Sequence, residues 1–187
     1  GDALDMNLDE LIVEKLGAPH RCKVVANLPY YITTPLVMHF LEQGFSIDRI
    51  VIMVQKEVAE RFAANPGKKD YGAITVSLNY YGAVRNAFTV PRQMFTPQPD
   101  VDSAVVDIQP WVEKPLQAKD ENLFHRLVKA AFGQRRKTLN NALKTMQLDS
   151  ALVQSALAQC EIDGTRRGET LSVAEFVALS NAISEMQ

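Results

Sequence analysis

The pattern of the 187-residue chain changes near residue 110. Before that point short apolar segments alternate with helical ones, which is typical of βαβ units and predicts a mostly parallel sheet, closed by a strand pair at its end. The predicted strands are 23–26, 49–54, 83–90 and 101–108. After Pro115 no strand pattern appears. The sequence therefore predicts an α/β domain at 1–112 and a small all-helical domain at 113–187.

Helical periodicity predicts where the helices lie. In the first domain we expect helices at 7–16, with Asn7 as N-cap, and at 35–43, with Thr34 as N-cap and Pro35 as first helical residue. A further helical pattern follows at 56–64. Residues 72–81 fit a strand or a helix, and the sequence leaves that choice open. In the second domain the predicted helices are 120–132, 137–147, 150–159 and 172–185.

The cysteine spacing and the apolar stretches of the chain indicate whether it binds a metal and where the protein resides. Cys22 and Cys160 are far apart and lack the spacing of metal ligands, so we predict free thiols and no metal site. No apolar stretch approaches the ~18 residues that a membrane span needs, and no signal-peptide pattern is visible. We therefore expect a cytoplasmic protein.

The formal net charge of −2 conceals an uneven distribution. Residues 1–14 carry five acids and no base, whereas residues 122–148 carry six bases and no acid. The six bases are Arg126, Lys129, Arg135, Arg136, Lys137 and Lys144. A cationic segment of this kind favours a polyanionic partner, because neutralised phosphates release counterions. A solvated helical face is the alternative.

The segment Asn27-Leu28-Pro29-Tyr30 follows the first predicted strand directly. Ligands of open α/β sheets bind at such strand ends. The Asn27 side-chain oxygen and the Leu28 carbonyl suit an adenine amine, since two acceptors would draw it toward tetrahedral geometry and free its lone pair. Tyr30 suits stacking on the base. Positioning and electrostatics then suffice without a strong general base. An ordinary turn with Tyr30 in the core is the alternative.

Five segments together resemble the ribosomal-RNA adenine dimethyltransferases of the bacterial KsgA type, over essentially the whole chain. They are VVANLPYYITTPL (24–36), VQKEVAERF (54–62), YGAITV (71–76), FTPQPDVDSAVV (95–106) and AFGQRRKTLNNAL (131–143). The resemblance implies transfer of methyl groups from S-adenosylmethionine to adenines of small-subunit rRNA, with a role in ribosome biogenesis. It implies the small ribosomal subunit as partner.

The resemblance also implies roles for single residues. Asn27 would contact the target amine and the methionine end of the cofactor, with Leu28 and Pro29 completing the catalytic segment. Tyr30 would stack on one face of the adenine and Phe95 on the other. Asp2 aligns with an acid that accepts from the amino group of the cofactor's adenine. The expected rRNA backbone contacts are Gln134, Arg135, Arg136 and Lys137.

Members of this family begin with a glycine-rich turn that this chain lacks, since no G-x-G occurs in it. By the resemblance the chain holds the C-terminal part of a Rossmann-like methyltransferase sheet, and most of the cofactor site would lie upstream of Gly1. We expect the chain alone to be inactive. Exposed sheet edges would pair with the N-terminal part or with a second chain.

Three other functions fit the sequence. The chain could act as a non-catalytic rRNA-binding or ribosome-assembly factor. It could also be an Erm-type methyltransferase acting on large-subunit rRNA, because the pocket chemistry would be shared. A DNA adenine methyltransferase fits the pocket but not the RNA-type helical domain.

Overall fold

The computed structural model describes residues 3–187 of the chain. The strands of this part are β1 (Cys22–Asn27), β2 (Ile47–Gln55), β3 (Gly82–Val90) and β4 (Ser103–Pro110). The α-helices are α1 (Leu8–Leu16), α2 (Thr33–Glu42), α3 (Lys56–Phe62), α4 (Ala73–Tyr81), α5 (Glu121–Gly133), α6 (Leu139–Ala142), α7 (Ser150–Gln159) and α8 (Val173–Met186). Short 3-10 helices lie at Arg92–Met94, Leu143–Met146 and Gly168–Thr170.

The chain separates into two compact units. The first comprises the chain up to Ala63 together with Tyr81–Glu113, and it contains all four described strands. The second comprises Ala64–Tyr80 and Lys114–Gln187. Residues 64–80, which the sequence analysis assigned to the first domain, therefore group with the second unit. The functional roles of the two predicted domains stay predictions.

The four strands form one sheet in the order β1-β2-β4-β3. β1 and β2 are parallel, whereas β4 is antiparallel to both β2 and β3. The α/β character and the closing pair β3–β4 are confirmed. The sheet is mixed: three of the four described strands keep the expected parallel direction, whereas β4 lies between β2 and β3 and opposes both. β1, β2 and β3 consequently share one direction.

The sheet has its core along the two central strands. Ile50, Ile52 and Val54 alternate along β2 and are at most 1% exposed, while Val106 and Ile108 of β4 are fully buried. Such alternation places one side of the strand in the core. This packing fixes the register of β2 against β4, since a one-residue slip would turn the apolar side chains outward.

Helix α1 begins as predicted. The Asn7 side chain accepts a hydrogen bond from the Glu10 amide at 3.2 Å, and Gly17 ends the helix in the left-handed region with φ of 75°.

The predicted start of α2 is wrong. The helix begins at Thr33 with Ile32 as N-cap, so Pro35 is its third residue rather than its first. Proline is tolerated there because the first-turn amides of a helix have no intrahelical acceptor.

Residues 73–81, where the sequence fits either a strand or a helix, form α4. Thr75, Val76, Leu78 and Tyr80 are at most 1% exposed. Because the helix is buried on most of its sides, its sequence lacks the one-sided periodicity by which an amphipathic helix is recognised.

The second unit contains helices and no strand among its described residues. The single helix predicted at 137–147 is wrong, since α6 is short and passes into the 3-10 helix Leu143–Met146. α8 begins with a capping box between Ser172 and Glu175, which confirms Ser172 as N-cap. Within residues 3–187, no helix is long and apolar enough to cross a membrane.

Candidate functional site

Strand direction brings distant parts of the first unit to one edge of the sheet. Asn27 ends β1 and pairs with Met53 near the end of β2. β3 runs in the same direction as β1, so the connection from β3 to β4 begins at the same edge. Ser103, the first residue of β4, pairs with Gln55 at the end of β2. The topology therefore places residues 27–30 and 91–102 side by side.

These two segments form a pocket of about 370 Å³. It contains all five residues predicted to be catalytic: Asn27, Leu28, Pro29, Tyr30 and Phe95. The other lining residues were not predicted from the sequence, and they are Met53, Pro97, Pro99 and Ser103. Two signals could have found them, since Met53 lies near the end of a buried strand and both prolines follow Phe95 within four residues of the chain.

The start of α2 holds the Asn27–Tyr30 segment in place. The Thr33 hydroxyl donates to the Pro29 carbonyl at 3.1 Å, and the Ile32 amide donates to the same oxygen at 3.2 Å. Thr33 is 2% exposed, so the donor of this bond is buried, while the acceptor residue Pro29 is exposed. Tyr30 remains 46% exposed and is available to a flat ligand.

The connection that carries Phe95 is tied at both ends. The Arg92 amide donates to the Asp102 carboxylate at 3.0 Å, and the Arg92 guanidinium donates to the Asp100 carbonyl at 2.9 Å. The Lys56 amide donates to the Asp102 carbonyl at 3.0 Å. These bonds close the connection into a compact loop, which presents the half-buried Phe95 ring to the pocket.

The pocket combines polar acceptors with flat apolar surfaces. Asn27 contributes a side-chain amide, while Tyr30 and Phe95 contribute rings and the prolines contribute apolar walls. None of its nine lining residues is Asp, Glu, His or Lys. Such a site suits a planar heterocycle with an amine, which it can bind and polarise through hydrogen bonds.

A larger concavity of about 660 Å³ lies elsewhere in the first unit. Its lining includes Asp9, Glu10, Glu14 and His20, and none of the predicted site residues. Asp9 accepts from the Ser46 amide at 3.0 Å, which ties α1 to the start of β2. This concavity is therefore acidic and separate from the predicted pocket.

The residues of the basic segment 134–137 in the second unit differ in their contacts. The Arg135 guanidinium donates to the carbonyls of Lys69 at 2.8 Å and Tyr71 at 3.3 Å, and it lies 3.1 Å from the Glu169 carboxylate. Gln134, Arg136 and Lys137 are exposed. Within residues 3–187, neither Arg136 nor Lys137 forms an ion pair. Arg135 is thus bonded to the protein through one guanidinium nitrogen, although its side chain is 48% exposed, whereas Arg136 and Lys137 are exposed and have no acidic partner among the described residues.

Three other predictions concern residues outside the pocket. Asp2 lies outside the described residues. Cys22 and Cys160 are free thiols, and burial raises the pKa of each. Residues 3–187 contain no cluster of His, Cys, Asp or Glu side chains that could hold a metal ion.

The sequence is similar to that of known proteins over its whole length. The model of the ribosomal RNA adenine dimethylase family matches residues 1–185. Ribosomal RNA small subunit methyltransferase A of Clostridioides difficile (strain 630) is 48% identical over 185 residues, which cover 98% of this chain and 63% of that protein. The protein of the same name from Alkaliphilus metalliredigens (strain QYMF) is 45% identical over 189 residues, which cover 100% of this chain and 65% of that protein. The chain thus spans less than two thirds of these relatives.

Two crystal structures share the fold. A dimethyladenosine transferase from Plasmodium falciparum matches with a TM-score of 0.76 and 24% identity, over 96% of this chain and 69% of that one. The 23S rRNA methyltransferase ErmE matches with a TM-score of 0.68 and 20% identity, over 97% of this chain and 80% of that one. At this level of identity the match concerns the fold alone.

Proposed function

The chain belongs to the ribosomal RNA adenine dimethylase family, and on that basis we propose that the protein containing it methylates the exocyclic amines of adenines in small-subunit ribosomal RNA. The observation that carries the proposal is the meeting of Asn27, Leu28, Tyr30 and Phe95 in one pocket. The name that both bacterial relatives bear supports the small subunit as substrate. A role in ribosome biogenesis and a cytoplasmic location follow from that substrate.

Each pocket residue has a physical task in this reaction. The ring nitrogens of adenine delocalise the lone pair of its amine, so the free amine is a poor nucleophile. The Asn27 side-chain oxygen and the Leu28 carbonyl would each accept a hydrogen bond from one N–H of the amine and make its lone pair available. Tyr30 and Phe95 would hold the extruded base between their rings, as enzymes that act on flipped bases do.

Enzymes of this family use S-adenosylmethionine, which supplies an electrophilic methyl group when bound. Asn27 suits its methionine end, because the exposed amide at the end of β1 carries both a donor and an acceptor. Asp2 is proposed to accept from its adenine amino group on the strength of the resemblance alone. The four strands would form part of a Rossmann-like methyltransferase sheet, and the shared fold of the dimethyladenosine transferase supports this.

The test is the substitution Asn27→Ala in the full-length protein that contains this sequence. We expect methyl incorporation from labelled S-adenosylmethionine into unmethylated small subunits to fall at least about a hundredfold, as when one oriented catalytic group is removed. Binding to the subunits should stay unchanged, because the phosphate contacts remain.

Asn86→Ala is the matched control, since Asn86 is exposed on β3 and does not line the pocket. It should retain wild-type methylation. If Asn27→Ala methylates as fast as Asn86→Ala, the proposed chemistry is wrong. A full-length wild-type protein that binds subunits without methylating them would favour a non-catalytic assembly factor.

The choice between subunits needs its own measurement. Methyl incorporation should be compared on isolated small and large subunits, each stripped of its own adenine methylation. We expect incorporation into small-subunit rRNA only. Incorporation into large-subunit rRNA would instead favour an Erm-type activity.

A further inference from the structure

Two concave surfaces adjoin each other in the second unit. The first cleft, of about 490 Å³, is lined by residues that include Arg126, Lys129, Gly133, Gln134, Thr145 and Gln147. The second cleft, of about 550 Å³, is lined by Phe132, Gly133, Gln134, Arg135, Arg136 and Lys137. Gly133 and Gln134 line both, so the clefts share a wall.

Helix geometry explains the first cleft. Arg126, Lys129 and Gly133 follow one another at spacings of three and four residues, which places them on one face of α5. The hydroxyl of Thr145 donates to the Ala142 carbonyl at 2.7 Å, and Gln147 reverses the chain with φ of 57°. The cleft therefore has a cationic wall on α5 and a polar wall on the segment after α6.

Four of the five cations that line the two clefts differ from other cations of the second unit, because they have no acidic partner. Arg166 lies 2.5 Å from Glu175, Lys119 pairs with Glu185, and Arg135, the fifth cation of the clefts, pairs with Glu169. By contrast, the other four side chains are exposed and form no ion pair within residues 3–187. They are Arg126, Lys129, Arg136 and Lys137. Their charge is available to an external anion.

We propose that the two clefts together hold one continuous stretch of ribosomal RNA backbone, which passes over the shared wall at Gly133 and Gln134. The inference rests on the proposed function for the identity of the RNA. It adds Arg126 and Lys129 as phosphate contacts and assigns Arg135 a structural role, because one nitrogen of its guanidinium donates to the Lys69 carbonyl and pairs with Glu169. Contacts of this kind position RNA without reading its sequence.

The experiment measures affinity of the 187-residue chain for a labelled small-subunit rRNA transcript at several salt concentrations. Arg126→Gln with Lys129→Gln should weaken binding at 0.1 M salt at least about tenfold, and the slope of log K against log salt should fall by about 1.5. Arg136→Gln with Lys137→Gln should do the same. Lys119→Gln with Arg167→Gln removes equal charge from paired residues outside both clefts, and should leave the slope nearly unchanged.

The shared wall allows a second test that removes no cation. A Cβ on Gly133 meets nothing within 4 Å, so a side chain can begin there without moving the backbone. Gly133→Glu should weaken RNA binding, whereas Gly133→Gln, of the same size but neutral, should retain it. Thermal unfolding of both variants shows whether the helix end is intact.

The outcomes separate this inference from the proposed function. RNA binding that depends on Arg136 and Lys137 but is insensitive to Arg126 and Lys129 overturns the two-cleft proposal. Equal behaviour of Gly133→Glu and Gly133→Gln also overturns it. If Asn27→Ala does not affect methylation, the proposed function is overturned and the two-cleft proposal is unaffected.

Discussion

Phe95 is the pocket ring that lies farthest along the chain from Asn27. We expect Phe95→Ala to lower kcat/KM for methylation about tenfold to a hundredfold, because stacking of one base on one ring is worth about 1–3 kcal/mol. Phe95→Tyr should retain most activity, since it keeps the ring. Phe88→Ala is the control, because Phe88 is 58% exposed on β3 and does not line the pocket. Unchanged kinetics of Phe95→Ala would exclude the stacking role.

Arg135 is expected to contribute to stability rather than to RNA affinity. Arg135→Ala should lower the free energy of unfolding by about 1 kcal/mol, because it removes charge-assisted bonds to two backbone carbonyls that are partly exposed. Arg135→Lys should lower it by a similar amount, since an ammonium lacks the planar fork. Urea denaturation measures both. An Arg135→Ala protein that keeps its stability and loses its salt-dependent RNA affinity would contradict this assignment.

At the scale of single residues, the sequence indicates which side chains meet in the pocket but not what the Arg135 guanidinium contacts. The types and order of Asn27, Leu28 and Tyr30 already indicate the chemistry, and the resemblance supplied Phe95. The hydrogen bonds of the Arg135 guanidinium were not predictable from the sequence, because their acceptors are the backbone carbonyls of Lys69 and Tyr71. Every residue has such a carbonyl, so no sequence pattern marks these two.

Helix α8 offers a pH-dependent contribution to stability. Burial would raise the pKa of Glu175, but hydrogen bonds from Arg166 and Ser172 outweigh burial and lower the pKa below its ordinary value. A carboxyl with a lowered folded-state pKa stabilises the fold above its unfolded pKa of about 4.3, and this contribution is lost as the pH falls through the folded-state pKa. Glu175→Gln keeps a capping side chain without the charge.

We therefore expect Glu175→Gln to be less stable than wild type at pH 7, and the difference to shrink when urea denaturation is repeated near pH 3. Ser172→Ala removes the other half of the capping box and should be destabilising at both values, because its hydroxyl does not titrate. A Glu175→Gln difference that is the same at pH 7 and pH 3 would show that the charge contributes nothing.

The strand pair β3–β4 depends on a close backbone approach at Gly82. A Cβ there would lie 2.6 Å from the Gln109 carbonyl oxygen and 3.0 Å from the Pro110 Cα. Gly82→Ala should therefore lower the free energy of unfolding by about 1–3 kcal/mol, as overpacking does. Gly72→Ala is the matched control, because a Cβ on Gly72 meets nothing within 4 Å. Equal urea midpoints of the two variants would contradict the prediction.

Helices and strands were predictable from the sequence where only one of their faces is buried. Their type was uncertain where several sides are buried. Helix α1 has a capping residue and a glycine stop that act locally, so Asn7 and Gly17 predict its ends. α4 has no exposed face to contrast with its core, and its type is therefore ambiguous. The apolar residues of 139–146 recur with helical spacing throughout. The change to 3-10 geometry at Leu143 is not marked by any residue type that sequence rules recognise.

At the scale of the whole molecule, β1 lies at one end of the described sheet and has a single neighbouring strand. Val25 of β1 is 77% exposed. A strand with one unpaired edge and an exposed apolar side chain favours association, so we expect the 187-residue chain to self-associate with rising concentration. Val25→Lys should reduce this in light scattering. Val112→Lys, at an 85% exposed valine outside the sheet, should reduce it less, and an equal effect would show that only net charge matters.

The division into units was only partly visible in the sequence. The change from strands to helices near residue 110 matches the end of the first unit at Glu113. The placement of residues 64–80 with the second unit was not predictable, because it depends on bonds such as the one from the Tyr71 hydroxyl to the Leu171 carbonyl at 2.8 Å. Those partners are far apart in the chain, and neither forms a motif.

The pocket lies where three strand pairings meet, and this makes it sensitive to how the chain folds. Asn27 reaches the 91–102 connection through the registers β1–β2, β2–β4 and β4–β3. A slip of one residue in any of them would shift one wall by about 3.3 Å and reverse its side chains. The yield of methylation after refolding of the full-length protein would then report the correctly paired fraction of molecules. RNA affinity, which we propose to reside in the second unit, would also count molecules whose sheet is mispaired.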